Sequence, residues 1–204
     1  MELMDYEKAR ALLSRYGIKS AQAKYVNSAE DAIAFSGGEP IVLKAISQKA
    51  LHKTKNKLVA LDLCSKAEIT NGYNVLVGRA SGFKPYRILA QKMVGNGIEM
   101  IIGGKMDEQF GKMLLVGLGG IYVEVFKDFS LRLCPITKRD AQSMLEQLKS
   151  MPVLAPNPQK AGMLVELLMK VSRMFESSEI KELDLNPIIL HDDTYDVVDI
   201  RIIR

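Results

Sequence analysis

The sequence is poor in the residues that mark several whole classes of protein. Its 204 residues include two cysteines, Cys64 and Cys134, two histidines and no tryptophan. Two cysteines cannot build a disulfide framework, so a reducing compartment is expected. No apolar run approaches the roughly 18 residues that span a bilayer, and residues 1–10 have no apolar core of the kind found in signal peptides. The chain is therefore expected to be soluble and cytoplasmic, with no membrane partner.

Charge of either sign is also modest. Lysine and arginine number 28 against 24 aspartates and glutamates, a formal net charge of +4. Nucleic-acid binding usually shows as a concentrated basic face. This excess is small and evenly spread, so no nucleic-acid partner is expected. It suits an anionic small molecule such as a nucleotide, or simply a solvated surface.

Turn and cap residues divide the chain into helices and strands. Helices are predicted over 5–16, 28–37, 137–151 and 160–175. Strands are predicted over 41–46, 57–63, 74–77, 87–93, 98–105, 113–116, 121–125, 130–134, 182–190 and 195–202. Helices and strands are mixed around a strand-rich middle, which indicates an α+β or α/β protein.

Two basic side chains in the first third of the chain are candidates for phosphate binding. Lys44 lies inside the apolar strand sequence IVLKAI, and an ammonium group is costly to bury without a partner. It either faces a cleft and meets phosphate or reaches water from a strand edge. His52 is flanked by lysines at 49, 53, 55 and 57, which either attract phosphate or line a solvated loop. Both alternatives stay open for each residue.

Three oxygen-bearing side chains near the end of the chain are candidate metal ligands. Strand alternation predicts Asp184 and Asn186 on one face, with Asp199 able to join them from a neighbouring strand. Mg²⁺ is usually held by one or two such groups together with water and nucleotide phosphates. The alternative is that Asn186-Pro187 turns the chain and Asp184 faces outward.

The glycines of residues 117–120 also have two interpretations: they either cradle an anion or form a tight turn.

Taken together, these segments resemble the β subunit, or ATP-grasp domain, of ADP-forming acetyl-CoA synthetases, which are relatives of succinyl-CoA synthetase. The landmarks are Tyr16-Gly17-Ile18, Val42-Leu43-Lys44, Leu51-His52-Lys53, Gln91-Lys92-Met93-Val94, Glu99, residues 117–124, Pro135-Ile136-Thr137 and residues 182–187. Their order and spacing are far more specific than any one of them, and they extend over nearly the whole chain. The resemblance implies a two-lobed ATP-grasp fold that forms a single domain over residues 1–204.

The resemblance also implies a site for ATP or ADP with Mg²⁺. Lys44 would contact the nucleotide phosphates and Glu99 would lie near the ribose. The adenine side would be formed, mainly through backbone groups, by Gln91, Lys92, Met93 and Val94. Asn186 and Asp199, supported by Asp184, would hold the Mg²⁺ ion.

The reaction implied by the resemblance is acyl-CoA + ADP + Pi ⇌ carboxylic acid + CoA + ATP, with the phosphoryl group moving through histidine. His52 matches the family's second histidine, which carries the phosphoryl group, and Glu124 would orient a phosphohistidine. No CoA-binding Rossmann fingerprint occurs in the sequence. CoA and the principal phosphohistidine are therefore assigned to a separate α subunit in a hetero-oligomer.

Two segments depart from the family pattern. After His52-Lys53 the usual acidic residue and Gly-Gly-Val turn are replaced by residues 54–59, TKNKLV, and no Gly-x-Arg-Gly element follows Pro152. Two other functions therefore stay open: a degenerate nucleotide-binding or scaffolding subunit, and a different ATP-grasp carboxylate ligase. The presence of Lys44, Asn186 and Asp199 argues against the first, and the histidine-lysine segment and the Gly-Leu-Gly-Gly block argue against the second.

Overall fold

A computed structural model describes residues 2–47, 58–120 and 127–204. The chain divides into two compact units, unit 1 (Met1–Ser20 with Asn96–Arg204) and unit 2 (Ala21–Gly95). Among the helices in the described ranges, none has the length and apolar character needed to cross a membrane.

The described helices and strands follow one another along the chain with short connections. The helices are α1 (Tyr6–Arg15), α2 (Ala29–Ser36), α3 (Lys66–Ala80), α4 (Lys138–Glu146), α5 (Met151–Leu154) and α6 (Pro158–Glu176), with a 3-10 turn at Ser81–Phe83. The strands are β1 (Ala23–Val26), β2 (Ile41–Ile46), β3 (Val59–Leu63), β4 (Arg87–Lys92), β5 (Ile98–Asp107), β6 (Gly111–Leu118), β7 (Phe129–Leu133), β8 (Glu182–Leu190), β9 (Tyr195–Val197) and β10 (Ile200–Ile203).

Unit 2 is built on a four-stranded sheet in the order β1-β4-β2-β3, with all pairings antiparallel. One face of this sheet packs against α2 and α3. Alternation along β2 turns Ile41, Leu43 and Ala45 towards these helices, where they form one core with Leu76 of α3. Residues at the intervening positions, among them Lys44, point to the opposite face.

Helix α3 shows that the strand predicted at 74–77 is wrong. A capping box starts the helix: the Ser65 hydroxyl accepts from the Glu68 N–H, and the Glu68 carboxylate accepts from the Ser65 N–H at 2.8 Å. The Asn71-Gly72 pair looks like a turn in the sequence, but Gly72 is buried within the helix. A Cβ on Gly72 would lie 3.0 Å from a Leu63 methyl carbon, so the glycine lets the helix approach β3.

Unit 1 is built on a sheet of six strands in the order β10-β8-β5-β6-β7, with β9 also paired to β8. Helix α6 packs against one face of this sheet, which we call the helix face. One stripe of α6 is buried, since Leu164, Leu168, Val171 and Phe175 are all fully buried. The Phe175 ring lies 3.0 Å from the point where Gly104 would carry a Cβ, which fixes Gly104 on the helix face.

The first residues of unit 1 pair with its last strand. Glu2 and Arg204 exchange two backbone hydrogen bonds, of 2.9 and 3.0 Å, and the Met4 N–H donates to the Ile202 carbonyl. Residues far apart in sequence therefore complete the same sheet edge.

The remaining differences between the predicted and the observed elements each involve only a few residues. Strand β1 was not predicted, the strand predicted over 195–202 is divided into β9 and β10, and residues 151–154 form α5 where a helix end was predicted. Asn157 caps α6 by accepting from the Lys160 N–H at 2.8 Å, so the helix begins two residues before the predicted start at 160. The strand predicted over 121–125 and the start of the strand predicted at 57 lie outside the described residues.

Asp128, just before β7, accepts hydrogen bonds from the two residues that precede α5. Its side chain is buried, and its two carboxylate oxygens accept from the N–H groups of Lys149 and Ser150, each at 2.8 Å. Burial raises the pKa of the Asp128 carboxyl, but hydrogen bonds from Ser150 and Lys149, with the Lys149 charge, lower the pKa by more, leaving it below its usual range. Asp128 therefore contributes stability above the pKa of an unfolded aspartate, about 3.9, and this is lost as pH falls through the folded pKa.

We expect Asp128→Asn to lower the free energy of unfolding at pH 7 by about 1–3 kcal/mol, because one amide N–H loses its acceptor and a charge-assisted bond is removed. Urea unfolding measures this difference, which should shrink as pH falls below about 4. Asp193→Asn in an exposed turn is the matched control. Equal unfolding free energies of Asp128→Asn and the native chain at pH 7 would contradict the role given to Asp128.

Candidate nucleotide and metal site

Unit 2 places Lys44 and Gln91 on the sheet face that points away from α2 and α3. Lys44 lies opposite Leu89, and Gln91 lies opposite Val42, so Lys44 and Gln91 are diagonal neighbours on adjacent strands. Lys44 is 6% exposed and Gln91 is fully buried. Because β2 lies between β4 and β3, the alternative that Lys44 reaches water from a strand edge is wrong. An ammonium group can bind phosphate oxygens, so Lys44 stays a candidate for phosphate binding.

Lys92 uses its side chain away from that face. Its ammonium group donates to the Ser36 carbonyl at 2.6 Å, at the carboxyl end of α2, and to the Glu39 carboxylate at 2.5 Å. The bond from Lys92 holds the pKa of the Glu39 carboxyl below its usual value. The sequence did not reveal this interaction, and it leaves only the backbone of Lys92 available for a ligand.

At the end of β4, two of the backbone N–H groups already donate hydrogen bonds within unit 2. The Lys92 N–H donates to the Gln22 carbonyl at 2.9 Å, and the Met93 N–H donates to the Pro40 carbonyl at 3.0 Å. In the part of the chain that the structure describes, the Val94 N–H donates to no protein acceptor. Of these three amides, Val94 is therefore the one best placed to bind the edge of a planar base.

Unit 1 brings the backbones of the three predicted metal ligands close together. Asp184 lies opposite Arg201, and the Asn186 N–H donates to the carbonyl of Asp199, the residue before β10, at 3.3 Å. Directly opposite residues in an antiparallel pair share a face. Leu183 and Leu185 alternate with Asp184 and are buried on the helix face. We call the face that carries Asp184 the second face.

Strand β8 continues through Asn186-Pro187, although its register against β5 shifts there between Met100 and Ile102, so the alternative that this dipeptide turns the chain is wrong. Two carboxylates and an amide oxygen form a set of hard donors that fits Mg²⁺. Within residues 2–47, 58–120 and 127–204, no three histidine, cysteine, aspartate or glutamate side chains cluster as a metal site. A magnesium ion here would therefore take its remaining ligands from water and from phosphate oxygens.

Glu99 is an exposed residue on β5. It pairs with Ile189 near the carboxyl end of β8, beyond Asn186. Its carbonyl accepts from the Gly119 N–H at 2.7 Å, and a Cβ on Gly119 would lie 2.8 Å from the Glu99 Cβ. A Cβ on Gly117 would lie 2.7 Å from the Asp128 carbonyl oxygen. These two glycines allow close backbone packing, and Gly117 belongs to β6 and not to a tight turn.

His52 and Glu124 lie outside the described residues, so their predicted roles in carrying and orienting the phosphoryl group stay predictions. The second face also carries Arg201, which was not predicted as a site residue. Its position two residues after Asp199 in the sequence was the available signal, since alternate residues of an extended segment share a face.

Comparison with known proteins identifies the family to which the chain belongs. A model of the ATP-grasp domain matches residues 1–203. The chain is 35% identical over 207 residues to acetate–CoA ligase [ADP-forming] I subunit beta of Pyrococcus furiosus, covering 96% of this chain and 89% of that protein.

Solved structures agree with the sequence match. Acetyl-coenzyme A synthetase 1 of Candidatus Korarchaeum cryptofilum, in complex with coenzyme A and Ca-AMPCP, has a TM-score of 0.90 and 33% identity, covering 99% of this chain and 93% of that chain. The same enzyme with coenzyme A and Mg-AMPPCP, described with its phosphohistidine segment pointing towards the nucleotide binding site, has a TM-score of 0.83 and 33% identity, covering 98% and 92%.

The chain therefore belongs to the ATP-grasp family, and the ATP-grasp fold expected from the sequence is confirmed. Within that family it belongs with the β subunits of ADP-forming acetate–CoA ligases, as the sequence resemblance predicted.

Proposed function

We propose that the chain is the nucleotide-binding subunit of an ADP-forming acyl-CoA synthetase. The enzyme would interconvert acyl-CoA, ADP and phosphate with a carboxylic acid, CoA and ATP. The observation that carries this proposal is the set of oxygen donors Asp184, Asn186 and Asp199, whose backbones lie close together. It occurs in a chain that matches an ADP-forming acetate–CoA ligase β subunit over 96% of its length.

In this proposal the described residues bind the nucleotide. Lys44 contacts its phosphates, Glu99 lies near the ribose, and residues 91–94 bind the adenine edge through the backbone. Asn186 and Asp199, with Asp184 in support, hold Mg²⁺. When bound, the ion neutralises phosphate charge, which is the main requirement of phosphoryl transfer.

The phosphoryl group is proposed to travel through two histidines. It would pass from a phosphohistidine on the partner to His52, oriented by Glu124, and then to a terminal oxygen of ADP. In each displacement a phosphorus–nitrogen bond breaks as the new bond to phosphorus forms, and the leaving imidazole nitrogen keeps the electron pair. The phosphohistidine segment described for the Korarchaeum enzyme supports such a route.

A partner subunit follows from the same relatives, which are named as subunits beta. We infer that the partner is a CoA-binding α subunit that carries the principal phosphohistidine. The relatives favour acid–thiol ligation over another ATP-grasp ligase chemistry. The non-catalytic scaffold is the alternative that an experiment has to separate.

The test is titration calorimetry with Mg-ADP, followed by an assay of acyl-CoA-dependent ATP formation. We expect the chain alone to bind Mg-ADP but to form ATP from acetyl-CoA and phosphate only when its native partner is added. A scaffold would bind no nucleotide. ATP formation by the chain alone would show instead that the CoA site had been assigned to the wrong subunit.

A further inference from the structure

Lys92, the last residue of β4, connects the carboxyl end of α2 to the backbone that follows β4. We call Met93 and Val94 the base segment, because their backbone is proposed to bind the adenine edge, and we call residues 37–40 the α2–β2 loop. We propose that Lys92 is a positioning residue for the nucleotide: through the α2–β2 loop, its ammonium group holds the base segment in the orientation that binds adenine. This inference rests on the proposed function.

The Lys92 ammonium group is held by three neighbours. It donates to the Ser36 carbonyl at 2.6 Å and to the Glu39 carboxylate at 2.5 Å, and it lies 5.7 Å from the centre of the Phe35 ring. A cation is favoured at the carboxyl end of a helix, where the carbonyls of the last turn lack helical partners. The Lys92 side chain is 21% exposed, so water screens its contacts less than those of a fully exposed lysine. The ammonium group is therefore fixed against the end of α2.

Burial does not fix the α2–β2 loop. All four of its residues are exposed, and it begins with Gly37 and Gly38, whose φ angles are +55° and +88°. Glycine adopts such angles without strain, but it also loses the most conformational freedom when it is ordered. A loop of this kind depends on hydrogen bonds for a single conformation. Ser36 supplies one of them, because its carbonyl accepts from the Glu39 N–H at 2.9 Å as well as from Lys92.

The same loop holds the base segment. The Pro40 carbonyl accepts from the Met93 N–H at 3.0 Å. Pro40 therefore lies between two contacts with the end of β4, one from the Lys92 side chain to Glu39 and one from the Met93 backbone. A displacement of Glu39 would move the Pro40 carbonyl and the Met93 N–H with it, and the Val94 N–H is the next along the chain. Since binding groups must be held to within about 0.5 Å, the placement of the Val94 N–H depends on the Lys92 ammonium group.

The other explanation of these contacts is that Lys92 only caps α2. A cap acts through the stability of the helix, so another change that weakens α2 should then affect nucleotide binding in the same way. Ser28 allows this comparison, because its hydroxyl accepts from the Asp31 N–H at 3.1 Å and caps the opposite end of α2. Ser28→Ala weakens the helix without changing any contact of the α2–β2 loop.

The test uses the full chain with its native partner, assayed for ATP formation. Lys92→Met should raise the KM for ADP about tenfold and leave kcat within twofold, because a contact to the base is made equally in the ground state and the transition state. Titration calorimetry should show the same rise in the Kd for Mg-ADP. Lys92→Arg, which keeps a cation at this position, should restore part of the affinity, whereas Ser28→Ala should change the Kd by less than twofold.

Two further measurements separate positioning from general damage. Mg-pyrophosphate has no base, so its inhibition constant against ADP should be the same for Lys92→Met and the native chain. Glu39→Lys places a second cation against Lys92 and should also raise the Kd for Mg-ADP about tenfold. The Glu39 side chain is 71% exposed, so this variant should fold even if Lys92→Met does not, and thermal melting checks both.

A Kd for Mg-ADP within twofold of the native value in Lys92→Met or, if that variant fails to fold, in Glu39→Lys would overturn the positioning role and leave the proposed function intact. An equal rise in Ser28→Ala would also overturn it, because the effect would then come from the stability of α2. The same holds for an equal rise in the inhibition constant of Mg-pyrophosphate, which would indicate damage beyond the base segment. Failure of the native chain to bind Mg-ADP would overturn both the positioning role and the proposed function.

Discussion

Asn186→Ala and Asp199→Ala should each lower the rate of ATP formation by about 10²–10³-fold in the complex of the chain with its partner. Asn186 on β8 and Asp199 just before β10 are neighbours, since the Asn186 N–H donates to the Asp199 carbonyl at 3.3 Å. Losing the stabilisation that a bound Mg²⁺ ion gives to a transferring phosphoryl group costs several kcal/mol, which corresponds to rate changes of this size. The initial rate of ATP formation from acetyl-CoA, ADP and phosphate measures the effect.

The two variants should keep their fold, because Asn186 is exposed, Asp199 is only partly buried and neither contributes to the apolar core. Thermal melting checks this, with Asp192→Ala in the exposed turn after β8 as a matched loss of one carboxylate. Raising the Mg²⁺ concentration should restore part of the lost rate if the ion is bound more weakly. Near-native rates in both variants at low Mg²⁺ would exclude these residues as metal ligands.

His52→Asn should abolish overall ATP formation while the Kd for Mg-ADP stays unchanged. The prediction rests on the family match at Leu51-His52-Lys53 and on the neighbouring lysines, which attract the anion that the imidazole has to receive. Labelled phosphoryl from ATP should appear on the native chain as an acid-labile, base-stable adduct and should be missing from the variant.

His191→Asn is the matched control, since the chain has one other histidine and it lies in unit 1, at the end of β8, near the Asp196 carboxylate at 3.6 Å. It should leave both the label and the turnover in place. Full turnover by His52→Asn with the native partner would show that the phosphoryl group reaches ADP without passing through this residue.

Strand alternation could be used on the candidate metal ligands before the structure was known. Asp184 and Asn186 were predicted on one face from their spacing, with Asp199 able to join them, and Asp184 alternates on β8 with the buried Leu183 and Leu185. A strand with one buried side fixes the direction of every side chain on it. A role that depends only on direction is therefore readable from the sequence.

Contacts between distant segments were not readable in this way. Gly72 was taken as a turn residue because the side chain of Leu63, which it accommodates, lies on another element. The hydrogen bonds of the Lys92 ammonium group to Ser36 and Glu39 at the end of α2 were not predicted either. In both cases tertiary packing decided between conformations that local sequence allows.

The pairing of residues 2–4 with residues 202–204 has a consequence for biosynthesis. Unit 2 is one uninterrupted stretch, Ala21–Gly95, and can form its sheet and core as soon as that stretch has left the ribosome. The first residues of the chain emerge before it, yet their hydrogen-bonding partners Ile202 and Arg204 are made some 200 residues later. During translation residues 2–4 therefore lack these partners until β10 has been made and has left the ribosome, and the sheet of unit 1 cannot be completed before then.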